Sequence, residues 1–281
     1  MDAFPSEQPL FDAFRGVRFR SASLYEAAEW YDVDYAAYVG EQPFYSWLSG
    51  RYVPEGTAYV ELGAGTGRLS IPFALEGFRV HGVEPAKSMR DTLLDRVLGL
   101  PASAAEHTLE DAAAHDFQGP DDAAIGLVAF PFNGVLHVMG RGALLATFDH
   151  IRNRLLSDGA ERARFALDLT SPCWETMAMG IVPWGRVDER PHPAHGRRVS
   201  TCDTAVFDAA HRVLRTTFRY VVEGETEGAE ITLEQYMWTF PEILSVAKAT
   251  GFSVEHIFGD VDFSPFSEGK PRLLLCLQAR P

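Results

Sequence analysis

Three glycines at alternate positions, Gly63, Gly65 and Gly67, follow directly on the apolar run Ala58–Leu62. Backbone so bare suits a tight turn or lets another group come close. The flanking segments narrow the choice. Ala58–Leu62 predicts a buried strand, Arg68–Leu75 a helix, Phe78–Val83 a second strand and Ala86–Leu98 a second helix, with Met89, Leu93, Leu94 and Val97 on one face. Strands alternating with helices in this way require an open, mostly parallel sheet covered on both sides.

The pattern continues. Ala124–Phe130 is an unbroken apolar strand, and Leu144, Phe148, Ile151 and Leu155 recur at helical spacing until Ser157-Asp158-Gly159 stops the helix. Arg164–Leu169 predicts another buried strand. Beyond Ser171 the rhythm changes. Pro172–Pro193 holds four prolines and reads as a long irregular loop. Arg197–Phe207, Val213–Val222 and Ile231–Trp238 then predict strands joined by short turns at Asp208–His211 and Gly224–Gly228, as in antiparallel hairpins. Thr239 and Glu242 form a capping-box pattern for a helix that Gly251 ends, and Ser253–Phe258 and Arg272–Gln278 supply two last strands. At the start, residues 1–20 have no period and predict an irregular arm. Leu24–Leu48 predicts an aromatic-rich helical segment, either a lid or a packing collar. The expected division is 1–50 as arm and helical lid, 51–171 with 239–281 as the main sheet domain, and 172–238 as an antiparallel β insertion.

A glycine turn between strand and helix admits a ligand to the backbone, and the helix start offers N–H groups to an anion. Glu84, at the end of the second strand, can accept two hydrogen bonds from a ribose diol. Together these features describe a nucleoside site. Two nucleoside cofactors fit. A dinucleotide fingerprint, G-x-G-x-x-G, needs its third glycine at position 68, where Arg68 would crowd the helix–strand packing although its charge would not repel a pyrophosphate.

The G-x-G-x-G spacing, with Glu61 two residues ahead of it, resembles motif I of class I S-adenosylmethionine-dependent methyltransferases. Further stretches resemble the bacterial small-molecule members, which include aminosugar and glycine/sarcosine N-methyltransferases. They are Phe130-Pro131-Phe132-Asn133-Gly134-Val135-Leu136-His137, Thr250-Gly251-Phe252-Ser253-Val254, and Gly259-Asp260 with Ser264-Pro265-Phe266 and Pro271-Arg272-Leu273. The resemblance covers roughly Tyr31 to the C-terminus. It implies a Rossmann-like seven-stranded α/β methyltransferase sheet with an antiparallel β insertion after the fifth strand and an N-terminal helical lid. It implies S-adenosyl-L-methionine as cofactor, held by Glu61, Gly63, Ala64, Gly65, Gly67, Glu84, Pro85, Met89 and Phe130. The family often places an Asp after its third strand for the adenine amino group. Aligning Asp116-Phe117 with the family pattern puts Ala113 there, so either Asp111 or the backbone of Ala113 and Ala114 takes that role. Arg68, Arg18 and Arg20 compete for the methionine carboxylate.

Methyl transfer to an amine or hydroxyl needs the nucleophile aligned and its proton removed, which suits a histidine beside the reacting atoms. His137, just past the fourth strand, matches a histidine of aminosugar N-methyltransferases. Its other reading is a histidine hydrogen-bonded to backbone. Tyr31 resembles an N-terminal tyrosine that packs over cofactor and substrate, or else belongs to the collar. Trp174, Trp184, Tyr236 and Trp238 either line an acceptor pocket or are ordinary core. His192-x-x-His195, flanked by prolines and without a cysteine or carboxylate at a recognisable spacing, reads as surface histidines rather than a metal site. The expected reaction is methylation of an N- or O-nucleophile on a small metabolite. The rivals are a cyclising or otherwise cofactor-consuming enzyme, a non-catalytic cofactor-binding protein, and a nicotinamide oxidoreductase.

Composition sets the partners. With 25 basic and 39 acidic residues the formal net charge is −14, so nucleic acid is not an expected partner unless a local basic groove exists. The longest apolar run, Ala123–Phe132, falls far short of the roughly 20 residues of a membrane helix. The opening MDAFPSEQPL has neither the basic region nor the apolar core of a secretory signal. Three cysteines, Cys173, Cys202 and Cys276, share no metal-binding spacing and suit a reducing compartment. A cytoplasmic enzyme of small molecules is expected, with homodimerisation through an exposed edge of the antiparallel insertion as an option.

Overall fold

The sequence pattern from Thr57 onward becomes, in the computed structural model, a parallel sheet with helices on its faces. The structure describes residues 13–280 except 102, 103, 105, 158–161, 268, 269 and 271. Its strands begin with β1 (Arg18–Ser23), β2 (Thr57–Leu62), β3 (Arg79–Val83), β4 (His107–Glu110), β5 (Ala124–Phe130) and β6 (Arg164–Thr170). They continue with β7 (Ile181–Val182), β8 (Asp188–Pro191), β9 (Arg198–Asp208), β10 (Val213–Val222), β11 (Glu227–Tyr236), β12 (Phe252–Phe258) and β13 (Arg272–Ala279). The chain forms two compact units, one of residues up to Ala37 together with Cys173–Gln235, the other of Tyr38–Pro172 together with residues from Tyr236 onward.

The larger unit holds a seven-stranded sheet in the order β12-β13-β6-β5-β2-β3-β4. Neighbours β6, β5, β2, β3 and β4 are parallel, while β13 is antiparallel to both β6 and β12. The central strands read as continuous apolar runs because both faces are covered: Ile125 to Phe130 and Arg164 to Leu169 are all buried. On one face the Gln42–Tyr52 helix sends Phe44, Tyr45 and Leu48 into a core with Tyr59, Phe73, Leu127 and Leu274. On the Arg141–Ser157 helix Leu144, Phe148, Ile151 and Leu155 are buried as their spacing predicted, and the Phe148 ring meets Phe165 edge-on at 5.1 Å. The expected stop at Asp158-Gly159 lies outside the described residues. The Thr239 cap forms: Glu242 Oε2 accepts the Thr239 N–H at 2.9 Å, and Thr239 Oγ1 accepts the Glu242 N–H at 3.4 Å. Strand order reverses at β2, which has β3 on one side and β5 on the other. The carboxyl edge at such a reversal is where open α/β sheets leave a crevice for ligands.

In the smaller unit β9 pairs antiparallel with β7, β8 and β10, β11 lies beside β10, and β1 runs parallel to β11 with Arg18 opposite Glu227. Residues 18–20, predicted as part of an irregular arm, therefore belong to a strand. A single Phe19 between two arginines is too little alternation to mark a strand, so only the distant partner strand reveals them. The predicted helical stretch Leu24–Leu48 is divided into a 3-10 turn at Leu24–Glu26 and helices Ala28–Tyr35 and Gln42–Tyr52. Pro43 falls in the first turn of the second helix, where its missing N–H costs nothing. The loop predicted over Pro172–Pro193 contains a helix, Trp174–Ala178, as well as β7 and β8, and β11 starts at Glu227 rather than Ile231. Among the described residues no helix is long and apolar enough to cross a membrane.

Candidate functional site

The turn after β2 bends as its glycines imply. Gly63, Gly65 and Gly67 have φ of +70°, +57° and +88°, in the left-handed region that side chains disfavour. The three differ in what surrounds them. A Cβ on Gly63 or Gly65 would find its nearest neighbour at 3.9 Å, the Phe130 ring for one and the Gly63 carbonyl for the other. A Cβ on Gly67 would lie 2.5 Å from Leu93 and 2.7 Å from Ile71. Two glycines thus leave an open cradle, and the third lets the following helix pack closely. That helix is Ser70–Leu75, two residues later than predicted, because Arg68 and Leu69 still belong to the turn. Ala64 is buried, and its N–H and that of Gly63 both donate to the Val83 carbonyl at the end of β3.

Glu84 follows β3 and its carboxylate meets the cradle. Oε2 accepts the Gly65 N–H at 2.9 Å and Oε1 the Ala86 N–H at 2.8 Å. Burial raises its pKa, opposed by those two N–H groups and by Arg90. Glu61, on β2, is buried, and burial holds its pKa well above the usual carboxylate range despite the Arg68 charge. Its Oε2 has no hydrogen-bond partner among the described residues. Met89 is buried on the Lys87–Leu98 helix and Pro85 is exposed at its start. Phe130, at the end of β5, is buried with its ring edge toward Gly63.

The arginines expected to compete for a carboxylate have other partners. Arg68 forms a buried ion pair with Glu41, donates to the Tyr38 carbonyl at 2.9 Å, and lies 4.4 Å over the Phe132 ring. Arg18 and Arg20 are exposed on β1 in the smaller unit, where both reach Glu227. The two adenine-side alternatives are also engaged. The Asp111 carboxylate pairs with Arg90 at 2.7 Å, and Asp116 Oδ1 accepts the Ala113 N–H at 2.8 Å; Ala114 is half-buried beside it.

Beyond β5 the chain turns through Phe132 and Asn133, whose φ values of +53° and +61° are unusual for residues with side chains. A short 3-10 turn, Gly134–His137, follows, and His137 ends it half-buried. Asp168, buried on β6, was not singled out from the sequence. Its Oδ1 accepts the Phe132 N–H and the Tyr45 hydroxyl, each at 2.8 Å. Two residues further, Thr170 donates its N–H at 2.7 Å and its hydroxyl at 2.9 Å to Asn133 Oδ1. Only an isolated Asp in an apolar strand hinted at this.

The remaining predicted residues are distributed over both units. Tyr31 lies on the Ala28–Tyr35 helix of the smaller unit, its ring 5.1 Å from that of Tyr35. Trp184, also there, stacks with Arg219 at 4.3 Å. In the larger unit Trp238 is fully buried, its Nε1–H donating to the Val138 carbonyl at 3.0 Å, with the Tyr236 ring 4.4 Å away. The Trp174 side chain is outside what is described. His192 is not a surface histidine: it is buried, stacked on His195 at 3.9 Å and edge-on to Trp30 at 5.9 Å, so aromatic packing draws it inward.

No protein-family model matches the chain, and no curated protein matches it. Solved structures do. The CcbJ methyltransferase from Streptomyces caelestis is similar at a TM-score of 0.73 and 17% identity, covering 92% of this chain and 99% of that one. An S-adenosylmethionine-dependent methyltransferase from Clostridium acetobutylicum ATCC 824 follows at 0.70 and 12%, covering 90% and 98%. The sugar N-methyltransferase KedS8 from Streptoalloteichus sp ATCC 53650 is similar at 0.60 and 17%, covering 100% and 96%. The chain has the fold of these methyltransferases, an α/β protein with a seven-stranded, mostly parallel Rossmann-like sheet.

Proposed function

We propose that the chain is a methyltransferase that uses S-adenosyl-L-methionine and acts on a nitrogen or oxygen nucleophile of a small metabolite. The observation that carries this reading is the Glu84 carboxylate set against the open Gly63–Gly65 cradle at the point where strand order reverses. The residues present fit the cofactor. Each Glu84 oxygen holds one backbone N–H and keeps a second acceptor site for a ribose hydroxyl. Gly63, Ala64, Gly65 and Gly67 shape the backbone against which the adenosyl group would rest, with Pro85, Met89, Phe130 and the Ala113–Ala114 backbone around it. Glu61 offers a buried carboxylate oxygen, without a partner among the described residues, to a cationic group. Bound there, the cofactor supplies an electrophilic methyl group on a sulfonium. The chain's part is to align the acceptor, exclude water and receive a proton, and His137 is the base within this unit that the reading assigns to that last task. A nitrogen nucleophile is supported by the likeness to KedS8, a sugar N-methyltransferase.

Calorimetric titration with S-adenosylhomocysteine tests the site. Wild-type protein binds, and Glu84→Ala binds about 1.5–3 kcal/mol more weakly, the worth of hydrogen bonds to a charged group. Equal affinity of the two proteins, or no binding by either, overturns the proposal. Incubation with methyl-labelled cofactor and a panel of amino sugars then reads transfer directly.

A further inference from the structure

We propose that Asp168 is a positioning residue that clamps the Phe132–His137 segment and so sets where His137 stands. The inference rests on the function proposed above for what His137 does there, though not for the clamp itself. Two consecutive side-chain-bearing residues in left-handed conformation persist only where the surroundings over-determine them. β6 supplies that determination. Residues 168 and 170 lie on the same face of the strand, and each holds one of the strained pair: Asp168 the Phe132 N–H, Thr170 the Asn133 side chain. Tyr45 anchors the clamp from the other side, its hydroxyl donating to the same Asp168 oxygen. The backbone at Gly134 passes close under the Phe130 ring, where a Cβ would lie 2.4 Å from it. Leu136 N–H then donates to the Asn133 carbonyl at 2.8 Å, which carries the fixed geometry into the turn that ends at His137.

The clamp also has a charge that titrates near neutrality. Burial pushes the Asp168 pKa up to about 6, with Glu41 adding to the rise and Tyr45, the Phe132 N–H and Arg272 opposing it. Among the described residues Glu41, Tyr45, Tyr59 and Arg272 are ionisable groups coupled to it, from the residue before the Gln42–Tyr52 helix, from that helix, from β2 and from β13.

The test uses ligand-free protein labelled at histidine Cε1, with the His137 resonance identified by its loss in His137→Gln, and amide exchange read by mass spectrometry. Asp168→Ala is expected to speed exchange over residues 132–137 on the order of tenfold relative to the Arg141–Ser157 helix, and to move the His137 resonance. Asp168→Asn, which keeps an oxygen at the shared acceptor position, is expected to restore both. An unchanged resonance and unchanged local exchange in folded Asp168→Ala overturn the proposal, as does exchange that rises evenly over the whole sheet. Should Asp168→Ala fail to fold, Asn133→Ala carries the same comparison at the other half of the clamp, with the same two results deciding. Titration of every variant with S-adenosylhomocysteine keeps the two proposals apart. Loss of binding by the wild type defeats the function proposed above, while the exchange pattern still decides whether Asp168 holds the segment.

Discussion

Alanine at Gly65 and at Gly67 should separate binding from folding, although both glycines belong to one turn. At Gly67 the added methyl meets Leu93 at 2.5 Å and Ile71 at 2.7 Å, closer than packed carbons come, and φ is +88°. Left-handed backbone costs about 1–2 kcal/mol for an L-residue. Overpacking of this kind adds about 1–3 kcal/mol, so Gly67→Ala should lose about 2–5 kcal/mol of stability. At Gly65 the nearest atom to the new methyl is the Gly63 carbonyl at 3.9 Å and φ is +57°. Only the backbone cost of about 1–2 kcal/mol applies there, but the methyl enters the open space of the cradle assigned above to the ligand. Affinity for S-adenosylhomocysteine should fall roughly 10- to 100-fold, the effect of about 1.4–2.8 kcal/mol. Urea denaturation measures the first quantity and calorimetry the second. Gly65→Ala binding as tightly as wild type would refute the assignment of the open cradle to the ligand. Equal urea midpoints for the two variants would refute the packing account of Gly67.

Two further outcomes follow from local geometry and charge. Thr239→Ala removes the side-chain acceptor at the start of the Phe240–Ala249 helix and should cost about 1 kcal/mol, a drop of about 2 °C in Tm for a chain of this size; an unshifted Tm would mean the cap contributes nothing. Burial, helped by His81, holds the His107 pKa down at about 4, against an ordinary value of 6.5. As pH falls from about 6.5 to 4 the unfolded chain takes up a proton that the folded chain refuses, so stability is lost over that window, by at most about 3 kcal/mol. His107→Gln should lose stability less steeply with acid than wild type, and parallel curves in urea melts at pH 7, 6 and 5 would exclude the linkage.

Six of the seven strands of the larger unit could be read from the sequence because they need nothing but their own composition; the seventh, β4 (His107–Glu110), is only half-buried and was not among them. Ala124–Phe130 and, in the smaller unit, Val213–Val222 were predicted to the residue, one as an apolar run and the other by alternation, and the glycine turn and Glu84 announce themselves by spacing. What stayed hidden depends on partners far along the chain. Strand Arg18–Ser23 has no apolar alternation and is defined by pairing with Glu227–Thr232. Arg68 looked available to a ligand because Glu41 gives no sign in the sequence that it is buried opposite.

The same dependence explains why the site divides into a legible and an illegible half. The cradle is built from backbone, and backbone conformation is encoded locally: a glycine at φ +57° or +88° is recognisable by being a glycine. Phe132 and Asn133 adopt nearly the same conformation without that signature, because the Phe132 N–H donates to Asp168 and the Asn133 side chain accepts from Thr170, both on another strand, and these bonds offset the cost. A buried carboxylate can do this only if its own desolvation is offset in turn, which here requires the Tyr45 hydroxyl and the Phe132 N–H on a single oxygen. Each group satisfies a need created by the next, so none of the three stands out alone. Left-handed turns at residues other than glycine should therefore be sought by looking for polar residues that interrupt the neighbouring buried strand, as Asp168 interrupts Phe165-Ala166-Leu167 and Leu169.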